Sequence, residues 1–171
     1  MIVGYLRLAL FALGLLIGVQ VPGFLQSYSA RVDAHRLEAF EALGGFNETA
    51  GRFFQGDLKK LLAHYHNHQD PVMQSDANSL ERLMTRAEYL ERQWQLMQGS
   101  SVKQLWAVMT QADTALLDET RKAYRYQVLL EPQAIAWGLS VALLLAWIIE
   151  LLVHAMGWMV KPKSRARTNW R

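Results

Sequence analysis

Hydrophobic positions follow two unlike patterns along this chain: continuous runs at both ends, and a helical period between them. The longest run is Ala134 to Val160, whose first sixteen residues, Ala134 to Ile149, carry no charge; its apolar character resumes on both sides of Glu150. A charge-free run of this length predicts a membrane-spanning helix. Trp137 and Trp158 lie 21 residues apart. At about 1.5 Å of rise per residue, that puts one indole at each face of a hydrocarbon core roughly 30 Å thick. The N-terminal run, Leu8 to Val19, lacks a polar residue and continues through Gln20 to Leu25. Its length also suits a signal peptide. However, Pro22, Gly23 and Phe24 stand where small residues should precede cleavage, and no A-x-A follows, so an uncleaved first span is expected.

Between the runs, apolar residues recur every three or four positions. Leu25, Tyr28, Val32, Ala39, Phe40 and Leu43 extend the first span as an amphipathic helix, with Pro22 and Gly23 as a kink and Gly44 and Gly45 as its stop. Asn47 is the expected cap of a second helix whose stripe, Ala50, Phe53, Phe54, Leu58, Leu61, Leu62 and Tyr65, reaches His66. Asp70 and Pro71 read as a cap and first helical residue opening a short turn. A third helix is expected from about Asn78 to Gln98, ended by Gly99. A fourth, capped by Ser100 or Ser101, carries a stripe from Val102 to Val128, and Pro132 starts the second span. No useful alternation of β type appears. The predicted fold is therefore all-α, with two transmembrane helices and an up-down helical bundle between them. The expected divisions are a first span over 1–25, a helical domain over 26–131, a second span over 132–160 and a basic tail over 161–171.

Charge adds an orientation. The tail holds Lys161, Lys163, Arg165, Arg167 and Arg171 without an acid, whereas Gln26 to Gln133 holds 12 basic and 14 acidic residues. The sequence pI near 9.3 thus reflects a membrane-flanking cluster and not a nucleic-acid surface, and no nucleic-acid partner is expected. Arg7 and the tail both point to the cytoplasm, which places the middle segment outside. The tail can also attract anionic lipid. The chain has no cysteine, which excludes disulfides, thiolate metal sites and cysteine nucleophiles.

Candidate chemistry is sparse. Gly14 and Gly18 form a GxxxG, and Ala134, Gly138, Ala142 and Ala146 repeat every fourth position. Such seams let helix backbones approach closely, either between the chain's own two spans or with a second copy or another envelope membrane protein. Glu150 and His154 lie four apart inside the second span, where they can neutralise one another by a hydrogen bond or snorkel to the headgroups. A proton relay is not expected from one such pair. His64, His66 and His68 cluster at a helix end. With Asp57 two turns before His64, the set Asp57, His64 and His68 can be drawn as a metal site, although histidines there also suit the helix dipole. His35 reads as a solitary surface residue. The serines belong to caps and loops, and Glu88, Glu91, Asp118 and Glu119 read as solvated helix faces. Neither an enzyme nor a cofactor is expected.

The chain resembles a family of small proteobacterial inner-membrane proteins, domain-of-unknown-function family 2937. The resemblance rests on VPGF at Val21 to Phe24, GGF at Gly44 to Phe46, FxGDL at Phe54 to Leu58, AHY at Ala63 to Tyr65, DPV at Asp70 to Val72 and LLEPQAIAWGL at Leu129 to Leu139. It implies the two-span topology and adds no chemistry. It places His64, but not His66 or His68, on a usual position of the family pattern. The expectation is a non-enzymatic scaffold or accessory subunit that acts by contact. The alternative is a sensor-like bundle binding a small ligand or metal between its helices.

Overall fold

A computed structural model describes the backbone of residues 2–125 and 131–160 and the side chains of residues 4–5, 7–125 and 131–151. Among the described residues there are seven helices: α1 (Ile2–Ala42), α2 (Gly44–Phe53), α3 (Leu58–His66), α4 (Pro71–Leu96), α5 (Ser101–Gln111), α6 (Thr114–Ala123) and α7 (Pro132–Val160). Among the described residues there is no strand, and the fold is all-α. The chain divides into two compact units, one drawn from the segments before Phe24 and after Arg125, the other spanning Phe24–Arg125. α1 runs through Pro22 without ending and contributes to both. Within α1 and α7 lie two stretches long and apolar enough to cross a membrane.

Several helix ends differ from the sequence expectation, each for a local reason. Gly44 and Gly45 do not stop α1. They are not among the positive-φ glycines, and a stopping glycine acts through that conformation. Instead they open α2, and Asn47 lies inside it, its amide bonded to the Leu43 carbonyl at 2.8 Å. The single helix expected up to His66 is two. Gln55 (φ 58°) and Gly56 (φ 82°) turn left-handed, and the amides of Phe54 and Gly56 both donate to the Ala50 carbonyl. Asp57 then caps α3 by accepting from the amides of Lys59 and Lys60.

Asp70 caps α4 as expected, accepting from the Val72 amide at 2.9 Å with Pro71 in the first turn. The helix it opens is no short turn but continues to Leu96. That helix ends before Gly99, where the Gln104 side chain bonds the carbonyls of Met97 and Gly99. Ser100 occupies the cap position of α5 without a side-chain bond. The expected fourth helix breaks at Ala112 and Asp113, both extended, and Asp113 caps α6. Pro132 opens α7 as expected.

The core of the Phe24–Arg125 unit gathers Tyr28, Val32, Ala39 and Leu43 of α1 and its downstream end, Ala50, Leu61, Leu80, Ala87, Leu90, Met97, Ala107 and Leu116. α3 packs on α2 and α4, and α4 on α5. One polar joint crosses this apolar layer. The Asp113 amide donates to the fully buried Tyr28 hydroxyl at 3.0 Å. The Asp113 carboxylate accepts from the amides of Ala115 and Leu116 and pairs with Arg86 at 3.3 Å. α1, α4 and α6 therefore meet at one residue. Burial raises the Tyr28 phenol above its ordinary range, so it stays protonated.

Burial pushes the Asp113 carboxyl up, but the Leu116 amide, Arg86 and the Ala115 amide outweigh it and hold the group below the usual aspartate value. A carboxyl lowered on folding stabilises above its unfolded pKa, and that contribution is lost as pH falls toward the folded one. Asp113→Ala should cost about 1–2 kcal/mol in thermal or denaturant unfolding. Asp113→Asn keeps a cap, and its unfolding midpoint should fall less than that of the native chain as pH drops from about 5 to about 3.

Candidate functional site

Small residues form the contact between the paired end helices. Gly14, Gly18, Gly138 and Ala142 are all buried, and Ala134 joins them at 1 % exposure. A methyl group placed on Gly18 would sit 2.8 Å from the Gly138 Cα and the Trp137 carbonyl oxygen and 2.9 Å from the Val141 Cβ. On Gly138 it would sit 2.5 Å from Val19 Cγ2 and 3.2 Å from the Leu15 carbonyl oxygen. On Gly14 it would sit 2.7 Å from Leu145 Cδ1 and 3.2 Å from the Ala142 Cα. The two small-residue seams thus face each other within one chain, and Ala146 stands half-buried at their edge.

Large apolar side chains point the other way. Leu8, Leu13, Leu16 and Ile17 on α1 and Leu143, Leu144, Trp147 and Leu151 on α7 are more than half exposed. Only 22 % and 17 % of the two apolar windows are buried, which separates them from the core helices of a water-soluble domain. Glu150 is exposed on α7. The side chain of His154, the Trp158 ring and the tail from Lys161 to Arg171 lie outside the described residues, so the Glu150–His154 pairing does too.

The metal set drawn from the sequence does not assemble. Asp57 is committed to capping α3 and lies 3.9 Å from Lys60. The rings of His64 and His68 are 6.2 Å apart, with Phe54 5.4 Å from His64. His68 Nδ1 accepts from the Asp70 amide at 3.2 Å, which places the ring's proton on Nε2 and removes the lone pair a metal would need there. His66 faces Glu81 at 3.9 Å. Among the described residues, no three His, Asp or Glu side chains are placed to share an ion.

Two clusters were not legible as sites. Arg36 lies over the Trp94 ring at 4.3 Å and pairs with Asp33 at 2.9 Å and Glu91 at 3.0 Å, which joins α1 to α4. Arg31 pairs with Glu119 of α6, and His35, far from solitary, reaches the same carboxylate at 3.1 Å. Ser27, Ala30 and Ala34 complete a shallow open groove there. Arg31 and His35 stand four apart on α1, which hinted at a shared acceptor, but nothing local pointed to Glu119, 84 residues from His35. α5 shows a different surface. Val102, Trp106 and Met109, on successive turns, are about two-thirds or more exposed.

In comparison with known proteins, the model of a protein family of unknown function, DUF2937, matches residues 2–162. No curated protein and no solved structure matches the chain.

The seam makes a sharp prediction. Gly18→Leu or Gly138→Leu drives a branched side chain into backbone across the helix pair and should lower the melting temperature of the detergent-solubilised chain by several degrees, with a loss of about 1–3 kcal/mol. Gly4→Leu should leave it unchanged, because a methyl group placed on Gly4 meets nothing within 4 Å.

Proposed function

We propose that this chain, which belongs to the DUF2937 family, is a two-span inner-membrane protein with both termini in the cytoplasm and its middle domain in the periplasm. In this reading it is a non-enzymatic scaffold or accessory subunit of an envelope assembly and works by contact. The outward direction of the large apolar side chains carries the proposal. On the paired end helices, leucines and isoleucines surround a seam of glycine and alanine, the reverse of a water-soluble core and the arrangement that lipid favours. On α5, Val102, Trp106 and Met109 face outward where only a partner surface would cover them.

The glycine contacts also support a retained N-terminal span. Clipping away α1 before Phe24 would expose the seam of α7, whose Gly138 lies against Leu15 and Val19. The orientation follows from Arg7 and the basic tail counted near the membrane.

Purification of the full chain from native membranes in mild detergent should recover a stoichiometric membrane or periplasmic partner, or a second copy. Trp106→Ala combined with Met109→Ala should weaken that association about tenfold or more while leaving the melting temperature within a degree or two. A native chain that runs as a lone monomer after crosslinking in whole cells would contradict the proposal.

A further inference from the structure

Two arginines at the end of α6 are left over when its charges are matched. Asp113 at the cap pairs with Arg86, Asp118 with Lys122 at 2.6 Å, and Glu119 with Arg31 and His35. Every carboxylate of α6 and its cap is thus committed. Arg121 and Arg125 are both exposed, and among the described residues neither has an ion-pair or hydrogen-bond partner. A helix C-terminus favours cations in its last turn, which accounts for Arg121. It does not account for Arg125, which follows Tyr124, where the backbone is already extended.

A ring contact sets their place in the fold. Tyr124 meets Phe24 edge to face, with ring centroids 5.4 Å apart. Phe24 is the penultimate residue of the N-terminal apolar run, which closes at Leu25, and α1 continues through it without a break. The end of α6 is therefore held where α1 passes from its apolar to its amphipathic stretch. From Arg121 to Gln133, just before the second apolar run, the sequence holds three cations and one acid, Glu131. An amphipathic ring beside exposed guanidinium groups at such a boundary has the chemistry of a headgroup contact: the ring suits the interface and the guanidinium groups suit phosphate oxygens. In the proposed topology these cations face away from the cytoplasm, so they add nothing to the orientation signal.

We propose that Arg121 and Arg125 form a docking site for the phosphate of an anionic phospholipid headgroup in the leaflet beside Phe24. The acyl chains stay in the bilayer, and only the headgroup is bound. Two guanidinium groups attract a headgroup of net negative charge, such as phosphatidylglycerol, more strongly than phosphatidylcholine, which carries its own cation. The site rests on the two-span reading, because it needs a bilayer beside Phe24. It does not rest on the scaffold role, since no protein partner takes part.

Short-range quenching in lipid nanodiscs tests it. Ala123→Cys, at an exposed position between the two arginines in a chain otherwise free of cysteine, carries a fluorophore. The full chain is assembled into phosphatidylcholine discs in which a minor fraction of either phosphatidylglycerol or phosphatidylcholine bears a spin label high on the acyl chain. Labelled phosphatidylglycerol should quench about two- to fivefold more than labelled phosphatidylcholine, the scale of screened cations beside a headgroup. Arg121→Gln with Arg125→Gln should abolish that preference while leaving the melting temperature within a degree or two. Arg121→Lys with Arg125→Lys, which keeps the charge, should retain a preference. Millimolar inorganic phosphate at constant ionic strength should not displace the lipid. Equal quenching by the two lipids in the native chain, a preference that survives Arg121→Gln with Arg125→Gln, or displacement by inorganic phosphate overturns the site. A chain that does not co-elute with the discs overturns the two-span reading as well, which sets that failure apart.

Discussion

Everything in the paired end helices of this protein depends on how closely two backbones approach. In hydrocarbon the apolar effect does not drive helices together, so packing must come from contact, and contact needs residues without bulk. Gly18 against Gly138 and Gly14 against Ala142 supply it, with no room for even a methyl group at either of the first two. Because backbone approaches backbone so closely in the seam, Leu13, Leu16, Ile17, Leu143, Leu144 and Trp147 are left on the outside. That leaves a greasy exterior that water does not tolerate and lipid does, so the membrane reading and the packing reading rest on the same atoms.

The helical domain is held by a different mix. Its core is ordinary aliphatic and aromatic packing, but its helices are short and broken, and each break needs its backbone groups satisfied. Asp57, Asp70 and Asp113 do this at three helix starts. Asp113 does more than cap, because its amide also holds the buried Tyr28 hydroxyl and its carboxylate holds Arg86. Arg36 is a second joint of this kind, with its guanidinium against Trp94 and its charge shared by Asp33 and Glu91. Burying an unpaired polar group costs far more than pairing it gains, so such joints select one arrangement of α1, α4 and α6 over near alternatives.

How much of this could be read from the chain follows from which signals are local. Period and composition sufficed for the all-α fold, the two apolar runs, the start of α7 at Pro132 and the Asp70–Pro71 cap, because each is written within a few residues. The small-residue seams were visible as spacing, but spacing alone left open whether they met each other or another protein. Helix breaks were harder. Gln55 adopts a left-handed conformation that its side chain does not advertise, and Asp113 hid within an apolar stripe that runs on with the right period across the break. Gly44 and Gly45 misled in the other direction, since a glycine at a helix start leaves the same letters as one at a helix end. The Arg31–His35–Glu119 group was out of reach, because its third member comes from a distant helix and no short motif announces such a contact.

We propose that the two apolar helices, paired through glycine, lie in the bilayer with the domain between them on the outer side. The native chain has no cysteine, so single cysteines report position without background. The direct measurement is labelling of Lys59→Cys and Thr168→Cys by a membrane-impermeant maleimide in cells with a permeabilised outer membrane and an intact inner one. Lys59→Cys should label fully, and Thr168→Cys only after the inner membrane is opened. Labelling in the reverse order, or equal labelling of both positions with the inner membrane intact, would contradict the account.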